Sequence, residues 1–316
     1  MKKLLVIVGP TGTGKTALAL HLAKKFDGEL VSSDSRQLYK GMDLGTGKTP
    51  VKEKIKGQKG KVEKHDGFWV IEAIKVHLYD VIDPGKTFSM AAYQQLAYKA
   101  IEEIHSQNKL PILVGGTGLY VQAVAEGLKI PKVVPDEKLR EKLESKSLEA
   151  LISELERVDP ESVSKIDIQN PRRIIRALEV YYQTGESFSK LKNKFKVDFD
   201  LLQVGLTAKR EYLYNRVDKQ VDKWFENGFV EEVKTLLKKG YKENLTSMTS
   251  LGYRQVIMYI ANRIPLSEAK QRIKWELHGY IRRQITWFKR NSAIIWFDIE
   301  EPSFVKEVEN KVNKWL

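Results

Sequence analysis

Eight residues near the start of the chain carry a specific chemical possibility. Gly9-Pro10-Thr11-Gly12-Thr13-Gly14-Lys15-Thr16 follows the apolar run 4–8 and leads into Ala17-Leu18-Ala19-Leu20. A buried strand feeding a glycine-rich turn and then a helix aims several backbone N–H donors and the positive helix end at one point, where a phosphate can sit. The glycines open backbone conformations closed to other residues, Lys15 brings a positive charge, and Thr16 supplies a hydroxyl of the kind that holds Mg²⁺. An ordinary glycine-rich turn would share the glycines but not the Lys-Thr ending in this setting. A second cluster, Ser33-Asp34-Ser35-Arg36-Gln37, follows the apolar stretch 30–32. In doubly wound sheets ligands bind beyond the carboxyl ends of the strands, so Asp34 is expected in the same crevice as the phosphate loop. Its carboxylate could hold Mg²⁺ through water, take a proton from a nucleophile, or simply cap the following turn. Gly115-Gly116-Thr117-Gly118, after the run 111–114, offers a third wall where backbone can approach a ligand closely.

The elements that must position these groups alternate between strand and helix over the first 120 residues. Strands are expected at 4–8, 30–33 and 111–114, with a helix over 15–26 and another from an N-cap at Ser89 to near Asn108. Residues 51–64 carry six lysines against two glutamates and read as a mobile basic loop, and 67–82 alternates well enough for a hairpin. Beyond Tyr120 the pattern turns helical and charged, over 136–155 and again over 170–182. A strand at 201–206 resumes the core. Apolar residues then recur at helical spacing to Gly240, Pro265 opens a long helix through Trp287-Phe288, and a strand at 293–297 precedes a last helix. The expected architecture is α/β: a P-loop NTPase-like core with a largely parallel central sheet, built from 1–121 and 197–316, and an inserted helical domain at 122–196.

Composition narrows the class of partner. The 316 residues include 54 Lys and Arg against 41 Asp and Glu, a net charge of +13, which favours a polyanion such as nucleic acid. The chain has no cysteine, which removes disulfides, thiolate zinc sites and thiol catalysis. No apolar stretch reaches membrane-spanning length, and Met1-Lys2-Lys3 runs directly into a core strand, so a cytoplasmic enzyme is expected.

Taken together the motifs resemble the tRNA dimethylallyltransferase family, also called tRNA isopentenyltransferases. The matching strings are GPTGTGKT at 9–16, SDSRQLYKGMDLGTG at 33–47, GGTGLY at 115–120, NPRRIIRALEVY at 170–181, GLTAKR at 205–210 and RQITWF at 283–288, in the family's order. The resemblance implies transfer of a dimethylallyl group from dimethylallyl diphosphate to N6 of the adenosine 3′-adjacent to the tRNA anticodon, with release of diphosphate. It assigns Asp34 as general base, Lys15, Thr11 and Arg210 to the diphosphate, and Mg²⁺ to Thr16. It places Ser35, Arg36, Gln37, Thr117 and Arg283 with Gln169, Asn170, Pro171, Arg172 and Arg173 against the anticodon stem-loop, in a monomer. Arg176 joins that last group by position, and Arg272, Lys274, Arg282, Arg283, Lys289 and Arg290, interleaved with Trp275, Tyr280 and Trp287, read as a phosphate-tracking surface. A flipped adenine would have to reach the buried carboxylate through a narrow channel, with the helical insertion as one jaw. The chain departs from the family pattern at Gln169-Asn170 and Lys219. His77, without a second histidine in phase, reads as structural. A P-loop kinase, or a nucleic-acid-stimulated ATPase, would use the same loop with ATP and would turn ATP over.

Overall fold

The computed structural model describes residues 2–48, 62–131, 133–134, 136–191 and 194–316. Most of the lysine-rich stretch at 51–64 lies outside the described residues. Its last three, 62–64, are not loop but open a strand.

Along the chain run β1 (Lys2–Val8), α1 (Lys15–Lys25), β2 (Gly28–Ser32), β3 (Val62–His65), β4 (Gly67–Ile71), β5 (Ile74–Tyr79), α2 (Met90–Ser106), β6 (Leu110–Val114) and α3 (Gly118–Ala125). Next come α4 (Glu137–Glu144), α5 (Leu148–Val158), α6 (Pro160–Lys165), α7 (Pro171–Thr184) and α8 (Phe188–Leu191). The chain closes with β7 (Phe199–Thr207), α9 (Arg210–Glu226), α10 (Phe229–Lys238), α11 (Tyr253–Ile260), α12 (Leu266–Phe288), β8 (Ile295–Asp298) and α13 (Phe304–Trp315). Two compact units result, one of Met1–Ala125 with Asp198–Leu316 and one of Glu126–Val197.

The first unit is an α/β layer structure around one sheet, ordered β3-β4-β5-β2-β6-β1-β7-β8 among the described residues. Pairing is parallel from β5 through β8 and antiparallel only at β3-β4 and β4-β5, which is the largely parallel sheet expected. β2 and β6, and β1 from Leu4 onward, are buried on both faces, as a parallel sheet covered by helices requires, which is why 4–8 and 110–114 read as apolar runs, while β2 also buries Glu29 and Ser32. Register carries the consequence for function. Ile7 and Ser32 both pair with Val114, so β1, β2 and β6 end side by side. The segments that leave them, at Gly9, Ser33 and Gly115, start from one edge of the sheet. Among the described residues no helix is long and apolar enough to cross a membrane.

The second unit is helical, with Leu143, Leu151, Leu155, Ile174 and Leu178 in its own core. The charged stretch 136–155, expected to be helical, holds two helices. The first ends at Glu144 with Ser145 as its C-cap, and Ser147 accepts the Ala150 N–H to cap the second.

Candidate active site

The phosphate loop takes its shape from two backbone facts. Gly9 has φ +144°, and a Cβ there would stand 2.5 Å from the Leu206 carbonyl oxygen of β7, so only glycine lets β1 and β7 stay paired at this point. Gly14 adopts a left-handed φ of 82° and starts α1, so Lys15 is the first helical residue. Thr13 is buried and donates its hydroxyl to the Pro10 carbonyl at 2.9 Å, and the Lys15 ammonium donates to the same carbonyl at 3.0 Å. Thr11, Gly12, Gly14, Lys15 and Thr16 face a cavity of about 1790 Å³, while Gly9, Pro10 and Thr13 do not line it.

The same cavity is lined by Asp34, Ser35, Arg36 and Gln37 from the end of β2, and by Gly115, Gly116 and Thr117 from the end of β6. Hydrogen bonds lace these walls together. Ser33 N–H donates to Val114 at 2.8 Å, Thr117 N–H to Ser33 at 3.2 Å, and Ser35 N–H to the Thr117 hydroxyl at 3.1 Å. Asp34 Oδ1 accepts the Arg36 N–H at 2.9 Å, so the turn-capping role is realised. It does not displace the chemical one, because the carboxylate still faces the cavity. Enclosure pushes the Asp34 carboxyl above the usual carboxylate range, opposed by the Arg36 N–H and the Lys15 charge. Burial likewise pulls Lys15 down to about 8, opposed by Asp34. A carboxylate and an ammonium therefore face one cavity, each modifying the other.

Several residues take places the sequence does not announce. Arg210 is exposed at the start of α9 and does not line the cavity, whereas Arg216, Lys219, Gln220 and Lys223 on α9 do. Their spacing of three, four and seven is one helical stripe, the signal that could have found them. Gln37 is held at both ends of its amide, accepting from Ser32 at 2.7 Å and donating to the Thr46 carbonyl at 3.2 Å. Arg36 reaches out to the Thr246 carbonyl at 2.9 Å. From α12, Tyr280 and Arg283 line the cavity.

The expected basic stripe on α12 is shorter than its sequence suggests. Arg272 pairs with Glu268 at 2.6 Å and Lys274 with Asp222 at 2.8 Å, whereas Arg282, Arg283, Lys289 and Arg290 stay exposed. Trp275 is open to solvent, while Trp287 packs on Gly118 and the core. In the helical unit, Gln169, Pro171, Arg172 and Arg173 are exposed around the start of α7, with Asn170 half-buried beside them. Arg176 is not part of that group: it bonds the fully buried Glu179 at 2.5 Å, next to Arg140. His77 is buried against Glu29 at 2.7 Å, a structural pair.

Comparison with known proteins gives a consistent outcome. Residues 37–291 match the family model described as IPP transferase, and residues 2–61 one described as isopentenyl transferase. A tRNA dimethylallyltransferase of Thermomicrobium roseum is 40% identical over all of this chain and 92% of its own length. One of Dehalococcoides mccartyi is 43% identical over 99% of this chain and 92% of its own. Among solved structures, the tRNA isopentenylpyrophosphate transferase of Bacillus halodurans is 35% identical, covers all of this chain and 97% of its own, and superposes with a TM-score of 0.70. A eukaryotic dimethylallyltransferase acting on tRNA is 28% identical over 95% of this chain and 74% of its own, with a TM-score of 0.73.

Proposed function

The chain belongs to the IPP transferase family, and on that premise we propose that it transfers the dimethylallyl group of dimethylallyl diphosphate to N6 of the adenosine 3′-adjacent to the anticodon in tRNA. The observation that carries the mechanism is the shared cavity: the phosphate loop with Lys15 and the enclosed Asp34 face the same space. In the reaction the N6 lone pair attacks C1 of the allylic group, the C1–O bond breaks, diphosphate leaves, and the amine proton passes to Asp34. Negative charge grows on the bridging oxygen as the bond breaks, so loop amides and Lys15 hold the leaving group more tightly in the transition state than before it. An exocyclic amine is a weak nucleophile, so its alignment with C1 matters as much as its deprotonation.

The donor set fits Mg²⁺. This ion keeps most of its waters and binds substrate phosphates, so the Thr16 hydroxyl is a sufficient protein oxygen, and bound there it would neutralise charge on the diphosphate. Ser35, Arg36 and Thr117 beside Asp34, with Arg283 at the cavity wall, would receive the anticodon loop. Exposed Gln169, Arg172 and Arg173 on the helical unit would hold its backbone. Arg216 is the better placed arginine for the diphosphate, and Arg210 would act from the rim.

The test is incubation of the protein with Mg²⁺, dimethylallyl diphosphate and unmodified tRNA, followed by mass analysis of the digested nucleosides. An isopentenyl adduct on adenosine, absent with Asp34→Ala, is the expected outcome. ATP consumption without an adduct would replace this reading with a kinase or ATPase.

A further inference from the structure

We infer that Gln284 is a positioning residue for the transfer: it sets the separation between the diphosphate cradle and the general base by bonding both walls of the cavity at once. The inference rests on the prenyl-transfer reading above and names a part of that site outside the reacting groups.

Gln284 is buried on α12. Its Oε1 accepts the Thr11 N–H of the phosphate loop at 2.8 Å, and its Nε2 donates to the Gly116 carbonyl at 2.9 Å. The amide has only one workable orientation, because a flip would set donor against donor and acceptor against acceptor. Gly116 is closed over by this side chain: a Cβ there would lie 2.4 Å from Gln284 Nε2 and 3.8 Å from the Lys15 Nζ. One turn earlier Tyr280 donates to the same carbonyl at 3.5 Å.

From Gly116 the link continues without a gap. Thr117 N–H donates to the Ser33 carbonyl at 3.2 Å, and the Thr117 hydroxyl accepts the Ser35 N–H at 3.1 Å. Asp34 stands between those two anchored residues. A single path of short hydrogen bonds therefore runs from Thr11 through Gln284, Gly116 and Thr117 to both neighbours of Asp34. In-line displacement needs the leaving oxygen, C1 and N6 held in one geometry, and a misplacement of about 1 Å costs on the order of a hundredfold in rate. Because Gln284 takes the Thr11 N–H, the phosphate cradle is built from the later loop amides and Lys15. Thr11 serves as the point where the loop is pinned.

The experiment compares wild type, Gln284→Leu, Gln284→Glu, Thr117→Ala and the Gln284→Leu/Thr117→Ala double variant. It measures kcat and KM with saturating tRNA, the tRNA Kd and the melting temperature. Gln284→Leu is expected to lower kcat about 30- to 100-fold while KM for dimethylallyl diphosphate and the tRNA Kd change less than about threefold. Gln284→Glu keeps the acceptor for Thr11 and loses the Gly116 donor when ionised, so its kcat should fall between the two. The double variant should lose no more than about threefold beyond the worse single variant, since both residues act on one path. Wild-type kcat in Gln284→Leu, a loss confined to KM or melting temperature, or losses that multiply in the double variant would overturn the inference. If the leucine variant shows no cooperative melt, the same criteria apply to Gln284→Glu alone. An inactive wild type would instead sink the prenyl-transfer reading, and this inference with it.

Discussion

At the scale of single residues the site is defined by two ionisable groups whose environments move them in opposite directions. Asp34 is held above the ordinary carboxylate range by enclosure and Lys15 is drawn down to about 8 by the same enclosure. A base with a raised pKa is a better proton acceptor for a weakly acidic amine, provided it stays ionised at the working pH. Asp34→Ala should therefore leave the tRNA Kd within about threefold of wild type and cut transfer by about two orders of magnitude or more. Undiminished turnover in that variant would remove Asp34 from the chemistry. The pH dependence follows from the same pair. In the free enzyme, kcat/KM for dimethylallyl diphosphate should fall on the acid side as Asp34 takes up a proton, at a pH above that of an ordinary carboxylate. It should fall again above about pH 8, where Lys15 loses its proton and with it the charge that attracts diphosphate. Lys15→Arg, which cannot lose its charge in this range, should abolish the alkaline limb. An alkaline limb unchanged in that variant would assign it to another group.

At the scale of elements the loop after β2 shows what holds the site in place. Lys48 is completely buried, donating to the Tyr39 carbonyl at 2.5 Å and to Asp43 at 3.2 Å, and pairing with Asp80, whose other oxygen accepts from Trp69 at 2.6 Å. Glu232 of α10 fastens the same loop by accepting the Asp43 and Leu44 N–H groups at 3.2 and 2.9 Å. Gly45, Thr46 and Gly47 within it line the cavity, so this network fixes one wall of the cavity from behind. Lys48→Met would leave Asp80 without its cation, whereas Asp43 keeps Lys64 at 2.5 Å, and removing one partner of a buried pair costs about 3–5 kcal/mol. Chemical denaturation should show a loss of that size; a change below about 1 kcal/mol would mean the network relaxes without the lysine. None of this was legible beforehand, and the reason is physical. Phosphate loop, central strands and long helices are local patterns, written in apolar periodicity and glycine spacing, and each appears where the sequence places it. The side chains that finish the site meet across the fold: Gln284 binds a residue 273 positions away, and Glu232 one 188 away. Arg176 groups with Arg172 and Arg173 by position at the start of α7, and its pairing with buried Glu179 three residues on is a spacing that reads equally well as a solvated face. The stripe of Arg216, Lys219 and Lys223 was legible by spacing, but nothing local tells which side of α9 faces the cavity.

At the scale of the whole molecule the dominant quantity is charge. A net +13 on 316 residues must act on a polyanion mostly through released counterions, so its signature is salt dependence and not the strength of any one contact. The structure removes part of the apparent basic surface from this account, since Arg272, Lys274 and Arg176 are balanced by nearby carboxylates. Of the basic residues expected to face RNA, Arg282 and Arg283 in the last turns of α12, Lys289 and Arg290 just past its end, and Arg172 at the start of α7 remain exposed, with Arg173 next to Arg172 and 3.8 Å from Asp167. If about five of these neutralise phosphates of a largely single-stranded loop, the slope of log K against log salt should be near −3.5, and affinity should fall about a hundredfold between 50 and 200 mM salt. Replacing Arg282 and Arg290 together by alanine should reduce the slope by about 1.4 and weaken binding at low salt, with kcat at saturating tRNA preserved. Both residues lie outside the cavity lining, so a fall in kcat would show that they do more than track the backbone. An unchanged slope would move the RNA-facing surface elsewhere, and the helical unit would then be tested in the same way through Arg172 and Arg173. Because steering by charge raises encounter rates while discrimination depends on groups beside the reacting base, these variants should slow association with every tRNA alike and leave the choice among tRNAs to the residues around Asp34.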